Sequence, residues 1–264
     1  MPRGPRKVSA SGLYHIVMRG NGKQLIFEDD GDREAFLQLL KRFLPEAKLV
    51  MIAWCLMENH VHLCLRDDGD DPTALSRAMQ ALQTRYAQLY NAKTGHVGHV
   101  FQGRFGSFPI EDERYLLEAV RYIHANPEKA GICAAHAYRW SSYSEYVGTP
   151  VLCDTAPVLE ALGGADGFTE FMATQPPVAY RPPTDRRTRM GDDEAPAFAQ
   201  ALVNAWCGCS LQDVKGLARP QRDEVLTRLR KEGLSVRQLE RLTGIGKYAI
   251  TNATKTSQKG TDTF

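Results

Sequence analysis

Apolar and polar positions alternate along Tyr14-His15-Ile16-Val17-Met18-Arg19, the period of a strand, and the turn-like Gly20-Asn21-Gly22 follows. Behind Asp32, a residue able to cap a helix, Phe36, Leu39, Leu40 and Phe43 recur at helical spacing. Leu49 to Met57 is strongly apolar and reads as a strand, with Asn59 to Leu65 as its partner or continuation. After the acidic loop Asp67–Asp71, Pro72 opens a helix to about Tyr90, with Leu75, Met79, Leu82, Tyr86 and Leu89 on one side. His96 to Phe108 is glycine-punctuated and shows no clear period. A last helix spans about Asp112 to Asn126 and stops at Pro127. Strands interrupted by helices, with pairing segments near in sequence, predict an α+β fold: one antiparallel sheet with helices packed on it.

Composition changes after residue 148. A main domain is expected over 1–148, and GTPVL and QPPVAYRPPTDRR make 149–192 linker-like. A helical region is expected over 193–264. Within it, about 233–255 has the form of a helix, a glycine turn and a second helix. Ser235 is the expected N-cap, Leu239 and Leu242 are core positions, and Lys247 begins a recognition helix. Arg237 and Lys247 are its candidate DNA contacts. No internal repeat is visible.

The bulk numbers add little: 264 residues, 43% hydrophobic, 24% charged and a formal net charge of +2 describe an ordinary globular protein and select no partner. Distribution says more. From Lys215 to Lys259 there are eleven Lys/Arg against four Asp/Glu, a footprint suited to nucleic acid, although a solvated helical face would read alike. The N-terminus is basic without the apolar core of a signal peptide, and no run is long enough to span a membrane. Six scattered cysteines lack zinc-ribbon spacing and read as reduced thiols of a cytoplasmic protein.

Three segments could carry chemistry. In Glu58-Asn59-His60-Val61-His62-Leu63-Cys64-Leu65, residues two apart share a strand face, so His60 and His62 point together while Val61, Leu63 and Leu65 point into the core. Two neutral imidazoles so placed can chelate one divalent ion, or they merely decorate an exposed face. On the helix from Arg114 to Pro127, Tyr115, Tyr122 and Asn126 lie on one stripe, and Tyr122 and Asn126 are one turn apart. A phenol and an amide oxygen could there reach one ion or phosphate, or the helix could be amphipathic with half-buried tyrosines. Gly98-His99-Val100-Phe101-Gln102-Gly103-Arg104-Phe105 suits a loop gripping a nucleic-acid backbone, and equally a turn with packed aromatics.

Together these segments resemble the HUH single-tyrosine transposases, in particular the REP-associated tyrosine transposases. The matching residues are Tyr14-His15 with Arg19-Gly20-Asn21, Met57-Glu58-Asn59-His60-Val61-His62, Phe101-Gln102-Gly103-Arg104, and Arg121-Tyr122-Ile123 with Asn126-Pro127. They occur in the family's order over about Leu13 to Gly148. The resemblance implies a ferredoxin-like sheet, the HUH nuclease fold. It makes His60 and His62 metal ligands, Asn126 the third ligand (many relatives carry Gln there) and Tyr122 the nucleophile. Arg19, Gln102, Arg104 and Arg121 become candidate DNA contacts. The implied cofactor is Mg2+ or Mn2+, and the implied partner is single-stranded DNA, as hairpin-forming repeat sequences, bound by a monomer or a homodimer. The implied reaction cleaves and rejoins DNA through a 5′-phosphotyrosine. Two other readings stay open: a helix-turn-helix regulator with a vestigial His pair, and a metal nuclease that uses water in place of tyrosine.

Overall fold

The computed structural model describes residues 8–174 and 195–256; the basic first seven residues and the Pro-rich part of the expected linker, 175–194, lie outside the described residues. The chain divides into two units, Met1–Thr174 and Gln175–Phe264.

In the first unit the alternating segments form one antiparallel sheet. Its strands are β1 (Leu13–Arg19), β2 (Leu49–Met57), β3 (His60–Asp67) and β4 (Gly106–Ile110), ordered β2-β3-β1-β4. Helix α1 (Asp30–Glu46) links β1 to β2, and α2 (Ala74–Thr94) links β3 to β4. This βαββαβ order is the ferredoxin-like arrangement expected. The register puts Val17 and Cys55 opposite His62, and His15 opposite Cys64, so these side chains share one face. The other face presents Ile16, Met18, Leu56, Val61, Leu63 and Leu65, which form one core with Phe36, Leu40, Met79, Leu82 and Tyr86 of α1 and α2. Each such buried side chain contributes ~1.5–3 kcal/mol relative to exposure.

Strand β4 falls where no period was visible. Its five residues include Gly106 and Pro109, which an edge strand tolerates because one side of its backbone needs no partner. The α1 cap also differs from expectation. Asp29 is the N-cap and Asp32 sits at N3, each side chain accepting the other's backbone N–H, and Lys93 reaches both carboxylates at 2.7 Å.

The face bearing the histidines is covered by α3 (Glu113–His124), which packs on β2 and β3. Asp112 caps it through the Tyr115 N–H. Pro127 does not end the helical course: α4 (Asn126–Lys129) resumes after Ala125 with the proline in its first turn, where a missing N–H costs nothing.

Residues 149–174 are not a linker. They carry on from α5 (Tyr143–Val147) into α6 (Ala156–Leu162) and α7 (Ala165–Ala173), whose Val158 and Phe168 are fully buried. Phe168 stacks on Tyr146 with ring centroids 4.5 Å apart and meets Tyr143 and His124 edge-on. Glu145 fastens the start of this stretch. Its Oε2 accepts the N–H groups of Val151, Leu152 and Cys153, and its Oε1 accepts Trp54 Nε1–H. Burial pushes its carboxyl up, but these donors outweigh that and hold it below the ordinary value. The same region closes the outer edge of β2: Leu56 N–H donates to Trp140 O, Ser142 N–H to Trp54 O, and Asp154 N–H to Met51 O. An edge that would otherwise offer unpaired backbone groups is thereby satisfied.

In the second unit, α8 (Ala195–Cys207), α9 (Arg219–Lys231), α10 (Val236–Thr243) and α11 (Lys247–Thr256) share a core that includes Leu202, Val203, Leu226, Leu229, Leu239 and Ile250. The stretch expected to be helical over 193–229 is broken between α8 and α9 by a short 3-10 turn at Asp213–Gly216. Ser235 caps α10 in a reciprocal capping box with Gln238. All six cysteines are free thiols, and among the described residues no helix is long and apolar enough to cross a membrane.

Candidate active site

The site lies between the histidine face of the sheet and the C-terminal end of α3. His60 and His62 point the same way from β3, with ring centroids 4.9 Å apart. The Tyr122 ring stands edge-on to His62 at 5.4 Å and to His15 at 5.7 Å. Asn126, one turn beyond Tyr122, is buried, and its side chain favours the protonated form of His60. Its Nδ2 donates to the carbonyls of Tyr122 at 2.7 Å and Ile123 at 3.3 Å. With both amide hydrogens committed to the helix end, Oδ1 is the atom left for the site.

Each imidazole has one nitrogen fixed by a neighbour. His60 Nδ1 lies 2.7 Å from Asn59 Oδ1, an acceptor, so Nδ1 carries the hydrogen and Nε2 the lone pair. His62 Nδ1 lies 2.9 Å from His15 Nε2, and assigning the hydrogen to Nδ1 again leaves Nε2 as the lone pair. Burial lowers the His60 pKa to about 4, helped by the Arg19 charge and opposed by the Asn126 amide. Burial, and then the neighbouring His60 and His15, hold His62 well below its ordinary value. Both rings are therefore neutral at pH 7, the form that can bind a metal. Among the described residues no group of three or more His, Cys, Asp or Glu could hold an ion.

Two residues at this site have no role assigned to them by the sequence. His15 is fully buried, and burial lowers its pKa to about 3. Tyr14-His15 belongs to the matched segments, but one histidine among apolar residues carries no signal of its own. Lys129 places its ammonium 4.1 Å from the Tyr122 ring centroid, beyond the proline expected to end the helix.

The candidate DNA contacts separate. Arg19 lies opposite His60 in the strand register, and its charge acts on both histidines. Gln102 and Arg104 are exposed on a loop bound to the end of β1: Gln102 N–H donates to Arg19 O at 2.8 Å, and Gly20 bridges Phe101. Gly20 is required there, because a Cβ would meet Gln24 O at 2.2 Å. Arg121 does not join them. It is buried, its Nη2 donates to Phe171 O at 2.7 Å, and its guanidinium lies 3.5 Å above the Phe171 ring. It follows Val120 around the helix onto the side facing α7, so the expectation that it contacts DNA is withdrawn. Arg237 and Lys247 are exposed in the second unit.

Residues 9–126, which span the sheet, the histidine pair, Tyr122 and Asn126, match the family model described as "Transposase IS200 like". Over that stretch the first unit is similar to the IS200-like transposases. Solved structures similar to this unit include a REP-associated tyrosine transposase bound to a REP hairpin. It shares 18% identity over 56% of this chain and 86% of that one, with a TM-score of 0.42. Another is a candidate transposase from Deinococcus radiodurans R1, with 14% identity over 51% of this chain and 99% of that one and a TM-score of 0.33. No curated protein matches the chain.

Proposed function

We propose that the first unit cleaves and rejoins single-stranded DNA, with Tyr122 as the nucleophile and a divalent ion, magnesium or manganese, held by His60, His62 and Asn126. The observation that carries this reading is the meeting of Tyr122, His62 and His60 above one sheet face, with the Asn126 amide turned so that its oxygen is presented.

Two imidazole nitrogens and an amide oxygen, with second partners already fixing each histidine, fit a divalent ion. When bound, such an ion neutralises a non-bridging phosphate oxygen and stabilises the charge that builds up at phosphorus. A phenol of ordinary pKa, about 10, is a weak nucleophile at pH 7, so its surroundings must assist. The ammonium of Lys129 sets positive charge beside the Tyr122 ring and beside any phosphate brought to it. Attack by the Tyr122 oxygen forms a phosphorus–oxygen bond and releases the 3′-hydroxyl of the flanking strand, leaving a 5′-phosphotyrosine. Another 3′-hydroxyl reverses the step and joins strands. Arg19, Gln102 and Arg104 support a path for the strand along the end of β1. The substrate expected from the family resemblance is a hairpin-forming repeat.

Covalent capture of a labelled single-stranded hairpin tests the reading. An adduct should form with the wild-type chain, persist in Tyr115→Phe, and vanish in Tyr122→Phe and in excess chelator. Cleavage without adduct indicates a water-using nuclease, and DNA binding without cleavage indicates a regulator; either overturns the proposal.

A further inference from the structure

The second unit has a surface that its own core does not use. Gly244 adopts a left-handed conformation (φ +64°) that ends α10, and buried Ile245 plugs the turn into α11, fixing the two helices relative to each other. Inward, Leu239, Ile250 and Ala253 fill the core. Outward stand Arg237 and Arg241 of α10 and Lys247, Tyr248 and Asn252 of α11.

Charge on this unit is unevenly spent. On α9, Arg219 and Arg222 pair with Asp223, and Arg228 pairs with Glu224. Among the described residues neither Arg237 nor Lys247 forms an ion pair. Arg237 and Lys247 are therefore exposed charges that no ion pair spends, although the Glu240 carboxylate stands at the start of α11. The backbone at that helix start is already served, since Glu240 Oε1 accepts the Lys247 N–H at 3.0 Å, so attraction for an anion comes from the side chains.

Tyr248 is 80% exposed, and it is the only large hydrophobic residue so exposed among the described residues of this unit. Nothing in the fold accounts for it. With Lys247 and Asn252 it lies on the outer stripe of a ten-residue helix about 15 Å long. A phenol and an amide on the first turns of a convex helix, flanked by Arg237 and Lys247, suit the edges of bases in a major groove about 12 Å wide. Single-strand binders instead line a groove with successive aromatics.

We infer that the second unit is a double-stranded DNA site, in which Arg237 and Lys247 contact phosphates and Tyr248 reads base edges. The chain thus handles DNA in two forms, and this second site stands independently of whether Tyr122 attacks a strand.

The test uses the full chain and a fully paired duplex enriched from a random pool, with binding followed by fluorescence anisotropy across salt concentrations. Arg237→Gln/Lys247→Gln should flatten the slope of log affinity against log salt by about 1.8, two phosphates at ~0.9 each. Tyr248→Ala should weaken the enriched duplex about tenfold while leaving unselected duplex nearly unchanged. All three substituted side chains are exposed, so folding is spared, and adduct formation at Tyr122 on a single-stranded hairpin should be unaffected. An unchanged salt slope in the double variant overturns the inference. So does tighter binding of unpaired than of paired DNA through these residues, or equal loss by Tyr248→Ala on every duplex.

Discussion

His15→Phe isolates the contribution of the buried residue behind His62. A phenyl ring fits among Phe108, Tyr122 and His62, whose ring centroids lie 5.1–6.2 Å from that of His15, so packing should survive. What is lost is the 2.9 Å partner of His62 Nδ1. A buried polar group left unsatisfied costs ~1–3 kcal/mol, which should appear as a lower urea midpoint. His62 also loses the contact that fixes its tautomer and ring orientation. Removing such an outer partner from a metal-binding histidine typically costs ~10–100-fold in affinity. Titration of Mn2+ followed by electron paramagnetic resonance reads this directly and without DNA. His15→Gln can still place a polar atom near His62 Nδ1 and should recover part of the loss. A His15→Phe variant that is folded and binds Mn2+ within twofold of wild type would refute both the assignment of Nε2 as ligand and the positioning role of His15.

Arg121→Ala should cost ~2–4 kcal/mol of stability through the lost charged hydrogen bond and the ring contact with Phe171, with DNA affinity unchanged; weaker DNA binding by folded variant would restore it as a contact. Phe168→Ala should destabilise the first unit by ~3–5 kcal/mol in denaturant unfolding, whereas a true linker position would give no change. His15 and His124, buried with pKa values lowered to about 3, are neutral when folded and titrate near 6.5 when unfolded. Their contribution is complete above pH 6.5 and is lost as pH falls toward 3, at up to ~1.4 kcal/mol per pH unit each. Urea midpoints should drop from pH 7 to pH 5, less steeply in His124→Gln, and a flat profile would contradict the neutral assignment.

The sheet and its histidine face were legible because strand period alone decides which side chains share a surface: alternation along β3 separates His60 and His62 from Val61, Leu63 and Leu65. Ser235 was legible because a cap and its Gln238 partner are three residues apart. Features set by distant segments were not. Glu145 gathers three backbone N–H groups that give no sequence pattern, and the Pro-Gly composition around 149 concealed two helices whose burial depends on Phe168 finding Tyr146. Motif position placed Arg121 beside the nucleophile, but consecutive residues on a helix point about 100° apart, and the side chain went to Phe171 instead. Lys129 lies beyond Pro127, which reads as a helix end in sequence and is the start of the next turn in the structure.

Asn126 is joined by two hydrogen bonds to the backbone carbonyls of Tyr122 and Ile123, which ties the amide oxygen to the same turn of helix that carries the Tyr122 ring. A hinge motion of α3 cannot retract one and leave the other: both swing away from the histidines together. If Tyr122 is the nucleophile and Asn126 a ligand, as proposed, withdrawing the tyrosine on such a motion would also deplete the ligand set.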